Sequence, residues 1–163
     1  MKQFLQISFA VFLVLVLATA SISGNLEDAV HAYKSKNFKK AYQLVRIDAS
    51  KGNAPAQLFL GSLYSEGAGV PQNYKEAVKW YRLAAEQGST AALFNLAQMY
   101  VFGHGVLKSN ETAYAYFSLA YANRDESANM TYYMMDWLRE DMTPAQIERA
   151  QQLANEIWAK MGN

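Results

Sequence analysis

The apolar positions of this chain fall at helical spacing along most of its length. In Ala56, Leu60, Leu63 and Tyr64 the steps are four, three and one, which puts four side chains on one face of a helix. Ala77, Trp80, Tyr81, Ala84 and Ala85 follow the same logic on a second helix. Short polar residues stand just ahead of these runs: Asn37, Asn73 and Ser109 before one set, Asn53, Ser89 and Asp125 before the other. Each carries a side-chain oxygen that can accept an orphan N–H at a helix start. Glu76 follows Asn73, and Gln146 follows Thr143, at the spacing of a capping box; Pro55 and Pro144 fit the first helical turn. Gly52 and Gly88 are placed to end helices. The pattern predicts helices over 26–35, 38–50, 55–65, 74–87, 91–101, 110–122, 128–139 and 144–160, and no sheet.

The same pattern recurs every 36 residues. At that offset Ala56 falls on Ala92, Leu60 on Leu96, Gly61 on Ala97, Tyr64 on Tyr100 and Val70 on Val106. Gly67 and Gly69 fall on Gly103 and Gly105, Trp80 on Tyr116, Tyr81 on Phe117 and Ala84 on Ala120. Ala41, Ala49 and Gly52 extend the register backwards and Ala128 extends it forwards. A fixed period of this length marks stacked supersecondary units. The Gly-x-Gly pairs belong to the turns between the helices of one unit, where positive φ lets the chain reverse. Gly61 lies inside a helix, where glycine is unfavourable, so a neighbouring helix is expected to approach closely there. Trp80 is expected to be a buried residue between helices.

The first residues change the picture of charge. Met1-Lys2-Gln3, a nearly unbroken apolar run from Phe4 to Leu17, and Ala18-Thr19-Ala20 have the form of a secretory leader cut after Ala20. Ser21 and Ser23 offer a second cut after Ser23, and an uncleaved membrane anchor is the alternative reading. The whole chain has 15 Lys+Arg against 14 Asp+Glu, and Lys2 leaves with the leader, so the mature protein holds 14 of each. A neutral chain gives no basic footprint for nucleic acid. The absence of cysteine removes disulfides, thiolate nucleophiles and Cys-based zinc sites, and points to a bacterial envelope. The expected location is periplasmic or secreted, with no membrane span after cleavage.

The run Ala56 to Tyr64, then Gly67-Ala68-Gly69-Val70, then Ala77, Trp80-Tyr81, Ala84-Ala85 and Gly88 resembles one complete Sel-1-like repeat, a relative of the tetratricopeptide repeats. Residues 92–120 resemble a second, weaker copy with Ala97, Tyr116 and Phe117 as its departures, and Arg124 where the closing glycine would be. The resemblance implies an all-α fold, a right-handed α/α solenoid of helix pairs. Its division would be a leader at 1–20, a degenerate repeat at 26–52, repeats at 53–88 and 89–124, and C-terminal capping helices at 125–163. It also implies a protein that binds another protein as adaptor or regulator without chemistry of its own. Two other roles are known in the family: immunity against lipase effectors of type VI secretion, and β-lactamase-like or penicillin-binding activity. The last is found in cysteine-rich relatives, and this chain has no cysteine.

In such a solenoid the concave face is lined by first helices. Once the repeat-signature residues are set aside, Phe59, Ser62, Asn95, Gln98 and Thr131, with Met134, remain at corresponding points. They are expected to form one inner strip for a protein partner, with the amides of Asn95 and Gln98 clamping an extended segment. Asn95 has a solvated helix residue as its alternative reading, and for Phe59 packing against the neighbouring unit is favoured over an exposed anchor. Alanine at both amides should then leave the fold intact. The run Tyr132, Tyr133, Met134, Met135 and Trp137 is the other candidate, either as a cap on the open end or as an interface. Nothing points to catalysis, metal or cofactor. His31 and His104 stand in no ligand spacing, and His104 in its Gly-His-Gly turn is expected to be solvated. The acid pairs Glu27-Asp28, Asp125-Glu126 and Glu140-Asp141 fall at helix ends, and adjacent residues on a helix do not face one another.

Overall fold

The computed structural model describes residues 24–122 and 128–161. The leader, Arg124, the expected cap Asp125 and the Asp125-Glu126 pair lie outside the described residues. Those described form α1 (Gly24–Lys34), α2 (Phe38–Ser50), α3 (Ala54–Glu66), α4 (Tyr74–Ala85), α5 (Thr90–Phe102), α6 (Asn110–Ala122), α7 (Ala128–Glu140) and α8 (Pro144–Lys160), with no strand among them. Each agrees with its predicted range to within two residues. Helices pair as α1 with α2, α3 with α4 and α5 with α6, and α2 on α3 and α4 on α5 stack one pair on the next. At the closing end α7 and α8 both pack on α6. No helix among the described residues is long and apolar enough to cross a membrane.

The helix starts are held by the residues that the sequence nominates. The Asn37, Asn53 and Asn73 side chains accept the N–H of Lys40, Ala56 and Glu76, and Ser89 and Ser109 accept from Ala92 and Thr112. The capping box at Thr143 and Gln146 is complete. At Asn73 only half of it forms, because the Glu76 carboxylate turns to Lys79 instead. Each such cap contributes about 1 kcal/mol.

The two Gly-x-Gly turns do two jobs. Gly67 and Gly103 end α3 and α5 in the left-handed region, at φ 72° and 70°. Gly69 and Gly105 sit against the start of the preceding second helix. A Cβ on Gly69 would lie 2.2 Å from the Phe38 carbonyl oxygen, and one on Gly105 would lie 2.5 Å from that of Tyr74. Phe38 and Tyr74 are themselves one period apart, so the same backbone contact recurs in successive repeats. Gly61 has the predicted close neighbour: a Cβ there would meet the Tyr81 ring at 2.6 Å.

Tyr81 rather than Trp80 is the buried pivot of α4. The Tyr81 ring is sealed between α3 and α4, and its hydroxyl donates to Ser62 Oγ at 3.3 Å. Burial pushes its phenol well above the usual tyrosine range. Trp80 is half-buried, one position round the helix, and packs against the N-terminal apolar cluster that contains Leu60 and Val45. That cluster and the C-terminal one, built on Leu93, Phe94, Leu96 and Phe117, meet at Tyr64. Replacing Tyr81 with alanine should cost about 3–5 kcal/mol, the range for a large buried aromatic. Trp80→Ala should cost visibly less, and thermal unfolding of the two variants side by side checks the order.

A second tie joins α1 to α3, where the Tyr33 hydroxyl donates to Glu66 Oε2 at 2.6 Å. Burial raises the Glu66 carboxyl above its ordinary value, and the Tyr33 bond offsets only part of that. The folded state therefore holds the Glu66 proton to higher pH than the unfolded chain. Glu66 favours the folded state below its unfolded pKa, and that advantage is lost as pH rises through the raised folded value. Glu66→Gln should remove this part of the pH slope, measured as unfolding temperature across the mildly acidic range.

Candidate protein-binding surface

The strip expected on the first helices exists, but it is not a surface. Phe59 is 1% exposed, Ser62 3%, Asn95 7%, Gln98 2% and Thr131 0%. Phe59 packs edge-on against Tyr33 of α1 at 5.5 Å between centroids. Ser62 donates to the Leu58 carbonyl and accepts from Tyr81. The Gln98 side-chain oxygen is buried without a hydrogen-bond partner among the described residues. The register that places these positions in line is right; the exposure is corrected, except that Phe59 packs against the neighbouring unit as expected. A first helix lies between its own second helix and the unit before it, so positions spare in the repeat signature still face a neighbour. Alanine at both Asn95 and Gln98 should therefore destabilise the array by about 1–3 kcal/mol, as buried truncations do. Thermal unfolding of the double variant tests this, against the near-zero change expected for exposed side chains.

His104 is also corrected. Its ring stacks on Tyr74 at 4.2 Å with an interplanar angle of 12°, half-buried in the turn contact, rather than standing free in solvent. Among the described residues, no group of three or more His, Cys, Asp or Glu side chains is placed to hold a metal ion.

The exposed aromatic surface lies on α7. Tyr132 is 50% exposed, Tyr133 68% and Trp137 47%, with Met130 beside them and Tyr121 of α6 at their edge. The Tyr121 and Tyr132 rings are 6.1 Å apart, and so are those of Tyr132 and Tyr133. Thr131 and Leu138 form the opposite, buried face, with Met134 and Met135 half-buried against the core. The repeat explains why the aromatic face is open. At the 36-residue offset Tyr133 stands where Ala97 and Gly61 stand, the point at which a second helix comes closest. Gly61 has no room for even a methyl group beside Tyr81. A tyrosine there keeps a second helix from seating in the usual way, and α8 packs on α6 instead. Across the α6–α8 contact Arg149 donates two exposed bonds to the Glu111 carboxylate, at 2.7 and 3.4 Å, which lower the Glu111 pKa. The sequence signal for this open face was present in Tyr133, as a bulky residue at a small-residue position.

The model of the Sel1 repeat family matches residues 54–89 and 90–125. The chain carries two Sel1 repeats. No curated protein matches it by sequence. Among solved structures it is similar to a protective antigen of uropathogenic Escherichia coli displaying an SLR fold, with 27% identity and a TM-score of 0.76 over 84% of this chain. It is also similar to a Sel1 repeat protein from Oxalobacter formigenes, with 28% identity and a TM-score of 0.65 over 86% of this chain. The chain spans 30% and 59% of the lengths of those two proteins. Sel1 repeats mediate protein interactions, and the fold is generally a non-catalytic scaffold for contact.

Proposed function

We propose that this Sel1-repeat protein is an exported, non-catalytic adaptor that holds a helical segment of a partner protein against α7. The observation that carries the reading is the open aromatic face of Tyr132, Tyr133 and Trp137. In the two full repeats the corresponding face of the first helix is covered by a helix of the same chain, so an amphipathic helix is the shape that fits. Tyr and Trp supply large apolar area together with a polar tip, the composition of interface anchors. The residues around them, Asp136, Arg139 and Glu140, are of both signs and exposed, as the rim of such an interface is.

Export rests on the leader pattern at 1–20.

The experiment is affinity purification of the mature protein from envelope extracts, with the Tyr133→Ala, Trp137→Ala double variant alongside. Both side chains are largely exposed, so the variant should keep its helicity and its unfolding temperature nearly unchanged. A partner held by wild type should bind the variant more weakly by tenfold or more, since each anchor truncation costs about 1 kcal/mol or above. A partner that binds both forms equally would remove α7 from the interface.

A further inference from the structure

An open, shallow cleft of about 390 Å³ lies where α2, α3 and α4 meet. Leu60 and Tyr64 of α3 line it together with Tyr42 and Arg46 of α2 and Trp80 of α4. The same place one period later is closed by the chain's own contacts. There Arg82, 36 residues after Arg46, donates to the Tyr100 hydroxyl at 3.0 Å. Tyr116, 36 after Trp80, stacks on Tyr100 at 5.6 Å with the rings 15° apart.

One substitution separates the two places. Tyr42 stands where the next repeat has Val78, and its hydroxyl takes the Tyr64 hydroxyl at 3.1 Å. The tyrosine that would have engaged the arginine is thus occupied. Arg46 is left exposed, with no hydrogen bond or ion pair recorded among the described residues. In the wall beside it, the Trp80 indole N–H is buried with no acceptor among the described residues. That N–H has no surface open to the cleft, so a ligand there meets the face of the Trp80 ring and not its N–H.

We propose that this cleft binds a carboxylate carried on an aromatic or branched apolar body, as the end of a peptide chain or as a free organic acid. The Arg46 fork matches a carboxylate bidentately. The paired tyrosines keep one O–H proton free to donate, because only one of the two is used between them. The rings of Tyr64 and Trp80, with the exposed Ile47 at the rim, receive the apolar body. A single cation suits a single negative charge. The site lies away from α7, so it stands or falls independently of the adaptor reading.

The test follows the three tryptophan indole N–H resonances of the ¹⁵N-labelled mature chain, with Trp80→Phe assigning that of Trp80. The probes are N-acetyl-phenylalanine, its amide, and a short peptide ending in phenylalanine with a free carboxylate. Both acids should shift the Trp80 resonance saturably, and the amide should not. Arg46→Gln should weaken both acids about tenfold or more, the loss of one charge-assisted pair. Tyr42→Val should weaken them as well, although Arg46 is kept, because it frees Tyr64 to take the guanidinium as Tyr100 does. Circular dichroism shows that each variant is folded. Tighter binding of the peptide than of the free acid identifies a chain end as the ligand, and equal or weaker binding identifies the small acid. No saturable shift with either acid through millimolar concentrations would overturn the proposal. So would an amide that binds as well as the acid, or a Tyr42→Val chain that binds like wild type.

Discussion

The second glycine of each Gly-x-Gly turn lies against backbone, where the preceding second helix begins, and the stacking of the repeats follows from that contact. At Gly69 and Gly105 the neighbouring carbonyls of Phe38 and Tyr74 occupy the space that any Cβ would need. Both glycines also have positive φ, 76° and 73°, so two independent demands converge on one residue type. Side chains can repack around a loose contact, but two backbones this close have few ways to meet. The rise and rotation between units are therefore set by main chain. The apolar contacts of Leu60, Leu63, Tyr81 and their counterparts fill the space that results. The second constraint is Gly61, which lets the Tyr81 ring into the groove between α3 and α4. In the next unit Ala97 and Phe117 make a slightly different fit of the same kind.

Helix extents were legible in the sequence because they depend on local chemistry. An Asn or Ser oxygen meets a backbone N–H three residues on, and a glycine ends a helix, whatever lies beyond. The turn glycines were legible for the same reason, although the carbonyls they meet lie in another unit. What the sequence did not show was which side of a helix is left open. Phe59, Asn95 and Gln98 look spare within one repeat, and they are buried because the preceding unit covers them. Trp80 and Tyr81 are adjacent and both apolar in pattern, so periodicity alone could not say which points at α3. The ring that fits beside Gly61 is the one that is sealed. His104 was read as solvated because a Gly-His-Gly turn tolerates exposure, but that turn is pressed onto Tyr74 by the glycine contact beside it.

The closing end shows how one residue can stop an array. The repeat register continues into α7: Thr131 keeps the buried place of Asn95, and Leu138 keeps contact with the core. Only the face toward a following second helix has changed, through Tyr132, Tyr133 and Trp137. With the close-approach position filled by tyrosine, α8 has to find apolar surface elsewhere, and it finds it on α6 through Ala150 and Ala154. The open ends of helical arrays in soluble proteins are ordinarily made polar. This one stays aromatic, an exception that stability alone does not call for and that contact with a second protein would.

The two sites proposed for this chain have a common origin in departures from the repeat at positions that the frame does not need. Gly69, Gly105, Gly61 and the helix caps cannot change without moving one unit against another. Tyr42 in place of valine and Tyr133 in place of glycine or alanine leave that frame standing. Each removes an internal contact, between arginine and tyrosine in one case and between first and second helix in the other. Each thereby leaves polar or aromatic groups with unmet interactions on a surface whose shape is already fixed. A ligand bound there would cost little ordering, because the frame has been ordered by folding. Specificity in such an array can therefore change by single residues, with no new element of structure.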